Sequence, residues 1–192
     1  MTQAPFTTLI LMWIIFAVVH SGLASGPVAR NVGTRLGKYY RPLYSLAVLI
    51  VLLILIHYHY VATGTIFWHP HWVVKIIAAV LVLAAFAAIV VSLWKHALNY
   101  SGLATLLGME TSDDFERDGL HTYVRHPMYT GVLFLFWGVF IGYPYRNNLV
   151  SAVCFTLYCF IAIYFLERKL MAQYGEDYKV YRLRVPMLLP FI

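Results

Sequence analysis

Long uncharged stretches separated by short charged ones set the pattern of this chain. Residues 1–29, 42–74, 76–94, 126–145 and 147–166 contain no Asp, Glu, Lys or Arg. Each run supplies about 20 apolar residues, the length of helix that crosses a bilayer. Five helical spans are therefore expected in an all-α integral membrane bundle. The runs are continuous rather than alternating, which argues against a spanning β-barrel. The first span, around Phe6 to Ala24, has no basic stretch before it and no convincing cleavage site, so it reads as a retained helix and not as a signal peptide. The short turn from Gly142 to Asn148 makes the last two spans a hairpin. A single membrane domain follows, with a three-helix N-terminal part over residues 1–98 and a C-terminal part over 99–192 that ends in a polar tail.

Composition agrees: 61% of residues are hydrophobic and 11% charged, outside the range of a soluble domain. The placement of the cations predicts orientation. Arg30, Arg35, Lys38 and Arg41 follow the first span, Lys95, Arg117 and Arg125 lie between the third and fourth, and Arg168, Lys169, Lys179, Arg182 and Arg184 lie in the tail. Those segments share one face, which the positive-inside rule makes cytoplasmic, with the N-terminus outside and the C-terminus inside. The opposite side keeps Lys75 and Arg146. The net charge of +6 is then a topology and lipid-headgroup signal and gives no reason to expect nucleic acid. Cys154 and Cys159, five apart on one helix, point to different faces and read as small apolar packers.

Chemistry concentrates at Tyr123-Val-Arg-His-Pro-Met-Tyr-Thr-Gly131, where an Arg-His pair and a proline open a hydrophobic span. Pro127 suits the first helical turn, with His126 at the cap. The free N–H groups of that turn, with Arg125 and His126, make an anion site, and Tyr129 lies one turn on. The bland alternative is an arginine meeting lipid headgroups. A second cluster closes the fifth span. Glu167 is the first charge after the uncharged run 147–166, at a helix end where the dipole gives a carboxylate no support, so a cation or a hydroxyl donor must compensate it. Arg125 is one candidate and a ligand is the other. Gly175 reads as a helix stop, Tyr178 and Tyr181 share a face of the next short helix, and Pro186 and Pro190 end regular structure. An amphipathic tail with its aromatics inserted in lipid is the competing reading.

The histidines divide into an outer set, His57, His59, His69 and His71, and a set toward the other face, His20, His96, His121 and His126. Neither has a recognised metal-ligand spacing, and the outer set matches ordinary aromatic-belt composition. His20 is intramembrane, so it faces either a cavity or a neighbouring helix.

Taken together, YVRHPMYTG and LERKLMAQYGEDYKVYRLRVPMLLP, one hairpin apart, resemble the C-terminal half of the isoprenylcysteine carboxyl methyltransferase and phospholipid methyltransferase superfamily. The likeness covers Gly119 to Ile192. The remainder resembles the short bacterial NnrU-type and methanethiol S-methyltransferase relatives. The resemblance implies a helical fold in the bacterial inner membrane that takes S-adenosylmethionine from the cytosol and a lipophilic or thiol acceptor from the bilayer. It places cofactor contacts at Arg125, His126, Pro127, Tyr129 and Glu167, with Tyr178 and Leu188 walling the adenosine. Arg125, His126 and the helix end would take the cofactor carboxylate, and Glu167 its ammonium or ribose hydroxyls. Arg125, Glu167 and His121 are the catalytic candidates, with His121 or Glu167 as the base for a thiol.

Departures narrow the acceptor. The family's Glu pair is Leu166-Glu167 here, its His-x-Leu-Val segment would fall on Asp113 to Glu116 without matching, and its tyrosine two residues past Gly119 is His121. The arginine that grips the substrate carboxylate in prenylcysteine enzymes is Ala162, so a neutral or thiol acceptor fits better. Two alternatives stay open. Sterol-type reductases, which use NADPH, resemble the same Arg-His-Pro-x-Tyr-x-Gly element, although Val132 replaces the acidic residue that commonly follows it. A haem- or metal-binding NnrU-like protein would rely on the histidines.

Overall fold

The computed structural model describes residues 4–24, 26–62, 64–94, 97, 101–109 and 115–189; Lys95, His96, Asp113 and Pro190, named above, lie outside them. Helices follow one another as α1 (Ala4–Ala24), α2 (Gly26–Leu36), α3 (Tyr40–Val61), α4 (Trp72–Trp94), α5 (Leu103–Leu106), α6 (Pro127–Gly142) and α7 (Arg146–Arg184). Single 3-10 turns stand at Gly37–Tyr39 and Gly119–Thr122. Pro5–Ala24, Val28–Val61, Trp72–Trp94 and Arg146–Arg184 are each long and apolar enough to cross a membrane, and α6 is a shorter apolar helix of 16 residues. The chain is an all-α integral membrane protein. The run 126–145 delivers less helix than its length promises because His126 is consumed as the cap and the backbone leaves helical geometry at Tyr143, just before Pro144. The basic stretch after the first span, expected only as a connection, forms the helix α2, and Gly37 ends it at a φ of 53°.

The residues gather into two compact units drawn from separated segments, and α7 passes from one to the other between Cys154 and Phe155. The first unit packs α1 along α3 and adds the first turns of α7. A polar cluster sits inside it. The Trp13 indole donates to Ser151 Oγ at 3.2 Å, His59 Nδ1 lies 2.9 Å from the same oxygen, and Asn147 Nδ2 approaches His59 Nε2 at 3.3 Å. His59 is therefore held by neighbouring side chains. His20 likewise lies between rings, stacked on Phe16 at 5.6 Å and tilted against Tyr44 at 6.1 Å. No group of three or more His, Cys, Asp or Glu side chains arranged for a metal ion occurs among the described residues.

The second unit carries the site, and its frame is the contact between α4 and α6. A Cβ added at Gly131 would meet Ile89 Cγ1 at 2.8 Å, one at Gly138 would meet Val82 Cγ2 at 2.9 Å, and one at Gly142 would meet the Ala78 methyl at 3.0 Å. Small residues let two backbones close up where lipid offers no hydrophobic drive for helix pairing. On its other side α6 meets α7, with Phe136 stacked on Phe155 at 5.2 Å and the Trp137 indole donating to Thr156 Oγ1 at 3.1 Å. Replacing Gly138 with Leu is expected to destabilise the protein by about 1–3 kcal/mol, the usual range for overpacking. Thermal unfolding in detergent checks this against Gly22→Ala, where a new methyl meets nothing within 4 Å and the melting temperature should hold or rise.

Candidate functional site at the end of the helical hairpin

Proline at the first position of α6 and His126 as its cap, with φ −128° and ψ 65°, turn the incoming chain so that residues 125 and 126 run extended beside the tail. The tail is stapled there by its backbone. Arg125 N–H donates to Pro186 O at 2.9 Å, His126 N–H to Met187 O at 3.2 Å, and Thr130 Oγ1 to Leu188 O at 2.9 Å. Side chains then converge on Glu167. Arg125 Nε donates to Glu167 Oε1 at 2.7 Å, while Nη1 donates to the carbonyls of Arg182 at 3.0 Å and Val185 at 2.6 Å. His126 Nε2 lies 3.2 Å from the same carboxylate oxygen, which can only accept, so this nitrogen carries the proton. Tyr178 OH donates to Oε1 at 3.3 Å, and Arg182 Nε stands 3.4 Å from Oε2. His126 is 5% exposed, Glu167 8% and Tyr178 1%, so these three are out of solvent, whereas Arg182 is exposed.

These partners decide the charge state. Glu167 stands one residue past the uncharged span 147–166. Burial opposes ionisation of this group, yet the hydrogen bonds from His126 and Arg125 and their charge outweigh it and hold the carboxyl down at about 2. Beyond the bend at Gly175, burial first and then the Glu167 charge push the Tyr178 phenol well up, and burial chiefly takes Tyr181 up to about 12. Both phenols stay neutral hydrogen-bond donors at neutral pH.

Aromatic rings close the polar end. Phe115 packs against Tyr174, Tyr178 and Tyr181 at centroid distances of 4.6, 5.3 and 5.6 Å, and the Arg117 guanidinium covers its other face at 4.4 Å. The tail aromatics thus turn inward, which sets aside the reading of a tail inserted in lipid through Tyr178 and Tyr181. Gly175, at φ 53° and ψ −125°, is a bend within α7 and brings Tyr178, Tyr181 and Arg182 back over Glu167.

A cavity of about 430 Å³ runs along one stripe of α7, formed by Phe160, Ile163, Tyr164, Glu167, Arg168 and Met171, and is completed by Arg182 and Met187. The spacing of three and four residues is the face of a single helix. Apolar side chains line one stretch of it, and the acid with its two arginines lines the other. Of the residues singled out from sequence, Arg125, His126, Tyr178 and Glu167 are brought into one cluster. Pro127 and Leu188 are buried beside it, and Tyr129 is half-buried with its ring edge-on to His126 at 6.1 Å. His121 takes a different setting: Nδ1 lies 3.1 Å from Arg125 O, Nε2 3.7 Å from Glu116, and the cavity walls do not include it. Sequence reasoning missed Arg182, Arg168 and Phe115. The signal for Arg182 was present, one helical turn after Tyr178, but was read as topology charge.

An all-helical membrane protein with an ionic cluster at the end of a hairpin, opening on an amphiphilic cavity, is the class that this fold and site define. The chain belongs to the family described as NnrU protein, whose family model matches residues 8–188. It is 41% identical over 80 residues to the methanethiol S-methyltransferase of Crocosphaera subtropica, a match covering 41% of this chain and 30% of that protein. Methanethiol S-methyltransferase 1 of Bradyrhizobium diazoefficiens is 36% identical over 87 residues, covering 45% of this chain and 30% of the relative. The Mycobacterium tuberculosis methanethiol S-methyltransferase is 36% identical over 81 residues, covering 42% and 32%. The matched segments thus span about a third of these curated relatives. No solved structure matches the chain.

Removing Arg125 leaves Glu167 without its shortest ion pair and frees two tail carbonyls, so Arg125→Ala is expected to destabilise the protein by about 3–5 kcal/mol. Because the folded carboxyl titrates below its ordinary value of 4.5, its contribution to stability is full above that pH and is lost as pH falls toward about 2. Melting temperatures across that window should fall in the wild type, and Glu167→Gln should flatten the decline.

Proposed function

We propose that this chain is a membrane-embedded S-adenosylmethionine-dependent methyltransferase whose acceptor is small or lipophilic, with a thiol as the first choice. The observation that carries this reading is the cavity in which Glu167, Arg168 and Arg182 adjoin the preceding apolar turns of Phe160, Ile163 and Tyr164. A nucleoside amino acid needs fixed charges for its zwitterion, and a lipophilic acceptor needs an apolar wall. The volume of about 430 Å³ suits such a ligand. Membership of the NnrU family and likeness to proteins named methanethiol S-methyltransferase support the same reading.

In this reading Glu167 takes the ammonium or ribose hydroxyls of the donor. Arg125, His126 and Tyr178 hold that carboxylate in place, while Pro127, Tyr129 and Leu188 shape the adjoining wall. S-adenosylmethionine would supply a methyl group on a cationic sulfur, to be taken by a thiolate with S-adenosylhomocysteine as the leaving group. The protein's part is to hold nucleophile and methyl in line and keep water away, which needs no covalent enzyme intermediate. Glu167 binds and does not deprotonate, since a carboxyl near 2 is a poor acceptor for a thiol proton. His121, the other candidate base, lies near Arg125 O and Glu116 and off the cavity wall, so the thiol would have to enter the cavity as its thiolate. The basic segments support an orientation with this end of the hairpin on the cytoplasmic side of a bacterial inner membrane, the N-terminus outside and membrane lipids around the spans.

Calorimetry on the purified protein is expected to detect S-adenosylhomocysteine, with the heat lost in Glu167→Gln at unchanged secondary structure, and no heat from NADPH. Binding of NADPH without S-adenosylhomocysteine would replace this reading with the reductase. A screen of thiols, phospholipids and prenyl compounds with labelled donor then identifies the acceptor.

A further inference from the structure

The resemblance assigned the donor's carboxylate to Arg125 and His126, but both are already committed. Arg125 has Nε on Glu167 and Nη1 on two tail carbonyls, with its side chain 9% exposed. His126 has Nε2 on Glu167 and is also buried. Turning either toward a ligand would strand a buried carboxylate and, for Arg125, two carbonyls that hold the tail. Neither forms part of the cavity wall, whereas Arg168 and Arg182 do.

Arg182 differs from Arg125 in each respect that matters. Its side chain is 52% exposed, and its contact with Glu167 Oε2 is the longer one, 3.4 Å against 2.7 Å. Arg168, next to Glu167 in the chain, approaches Tyr164 OH at 3.5 Å, lies over that ring at 5.7 Å, and lines the same cavity. Two guanidiniums on Glu167, with a third from Arg168 on the same cavity, leave this end with an excess of positive charge, which favours an incoming anion.

We propose that Arg182 and Arg168 bind the α-carboxylate of the donor's amino-acid end, Arg182 leaving Glu167 Oε2 as the ligand's ammonium replaces it there. This rests on the methyltransferase reading and names the ligand contacts within it. The exchange conserves charge. One loose ion pair, Arg182 with Glu167, gives way to two, ammonium with Glu167 and carboxylate with the arginines. The tight Arg125 pair and the stapled tail stay intact throughout, so the exchange requires no unfolding of the site. Arginine suits the role because its planar fork can bind a carboxylate with two parallel hydrogen bonds.

The test compares S-adenosylhomocysteine with its decarboxylated analogue, S-adenosyl-3-thiopropylamine, which keeps the ammonium and lacks only the carboxylate. On the full-length protein in detergent, the wild type is expected to bind the first more tightly by about tenfold or more, the scale of a charge-assisted pair. Arg182→Gln, Arg168→Gln and the double variant should weaken S-adenosylhomocysteine and leave the analogue within about twofold, so that the preference shrinks in the singles and vanishes in the double. A preference that survives in all three variants, or an equal loss of both ligands, overturns the assignment and leaves the methyltransferase reading standing. Failure of the wild type to bind either nucleoside overturns that reading as well. Both arginines are partly exposed, and unchanged melting temperatures establish that the variants are folded.

Discussion

One buried carboxylate organises the functional end of this protein. Glu167 stands one residue past the uncharged run 147–166, inside α7 and not at the helix end expected from sequence, since the bend comes only at Gly175. Burial takes it out of water, and an uncompensated charge there would cost several kcal/mol. Compensation arrives from three places in the sequence: Arg125 and His126 before α6, Tyr178 beyond the bend, and Arg182 one turn later. Satisfying Glu167 therefore also folds the tail. Once Arg125 reaches the acid, its second nitrogen meets the carbonyls of Arg182 and Val185, and its backbone meets Pro186. Charge satisfaction and tail docking are a single cooperative event.

That arrangement needs α6 and α7 held in register, and glycine does much of this at a distance from the charges. Gly131, Gly138 and Gly142 let α6 sink against Ile89, Val82 and Ala78 of α4, leaving the opposite face to meet α7 through Phe136 and Trp137. Since lipid rewards close packing and does not reward burial as such, backbone proximity is the available source of helix pairing. The start of α6 is thereby fixed relative to the end of the span in α7, and Arg125 meets Glu167 at 2.7 Å without a long search of rotamers.

The spans, the cap at His126 and the meeting of Arg125 with Glu167 were legible in the sequence because each follows from a local rule. Uncharged length gives a span, proline gives a helix start, and a charge bordering an uncharged span demands a partner. The amphipathic helix Gly26–Leu36 was not legible, since its glycines and basic residues resemble a loop and its order depends on contacts such as Tyr40 OH donating to Leu23 O. Nor was the cluster of Trp13, His59, Asn147 and Ser151, whose members come from three different helices. Phe115 escaped for the same reason: its partners Tyr174, Tyr178 and Tyr181 lie far along the chain, on the two sides of the bend at Gly175. Local patterns announce which groups need partners, and long-range packing chooses them.

The cavity follows from the same economy of elements. A helix that leaves a membrane must pass from apolar to polar along its length, so any groove following one face of it inherits that gradient. In α7 the stripe from Phe160 through Tyr164 and Glu167 to Met171 crosses this boundary, and the bend at Gly175 returns Arg182 to the polar stretch. A ligand with a charged end and a lipophilic end would fit this gradient in one orientation. Reversing it would set charge against Phe160 and Ile163 and leave the arginines facing hydrocarbon. Under the proposed function, orientation by gradient lets few polar side chains define the site, and the proposed acceptor end, walled by mostly apolar side chains, carries little of its own identity in the sequence.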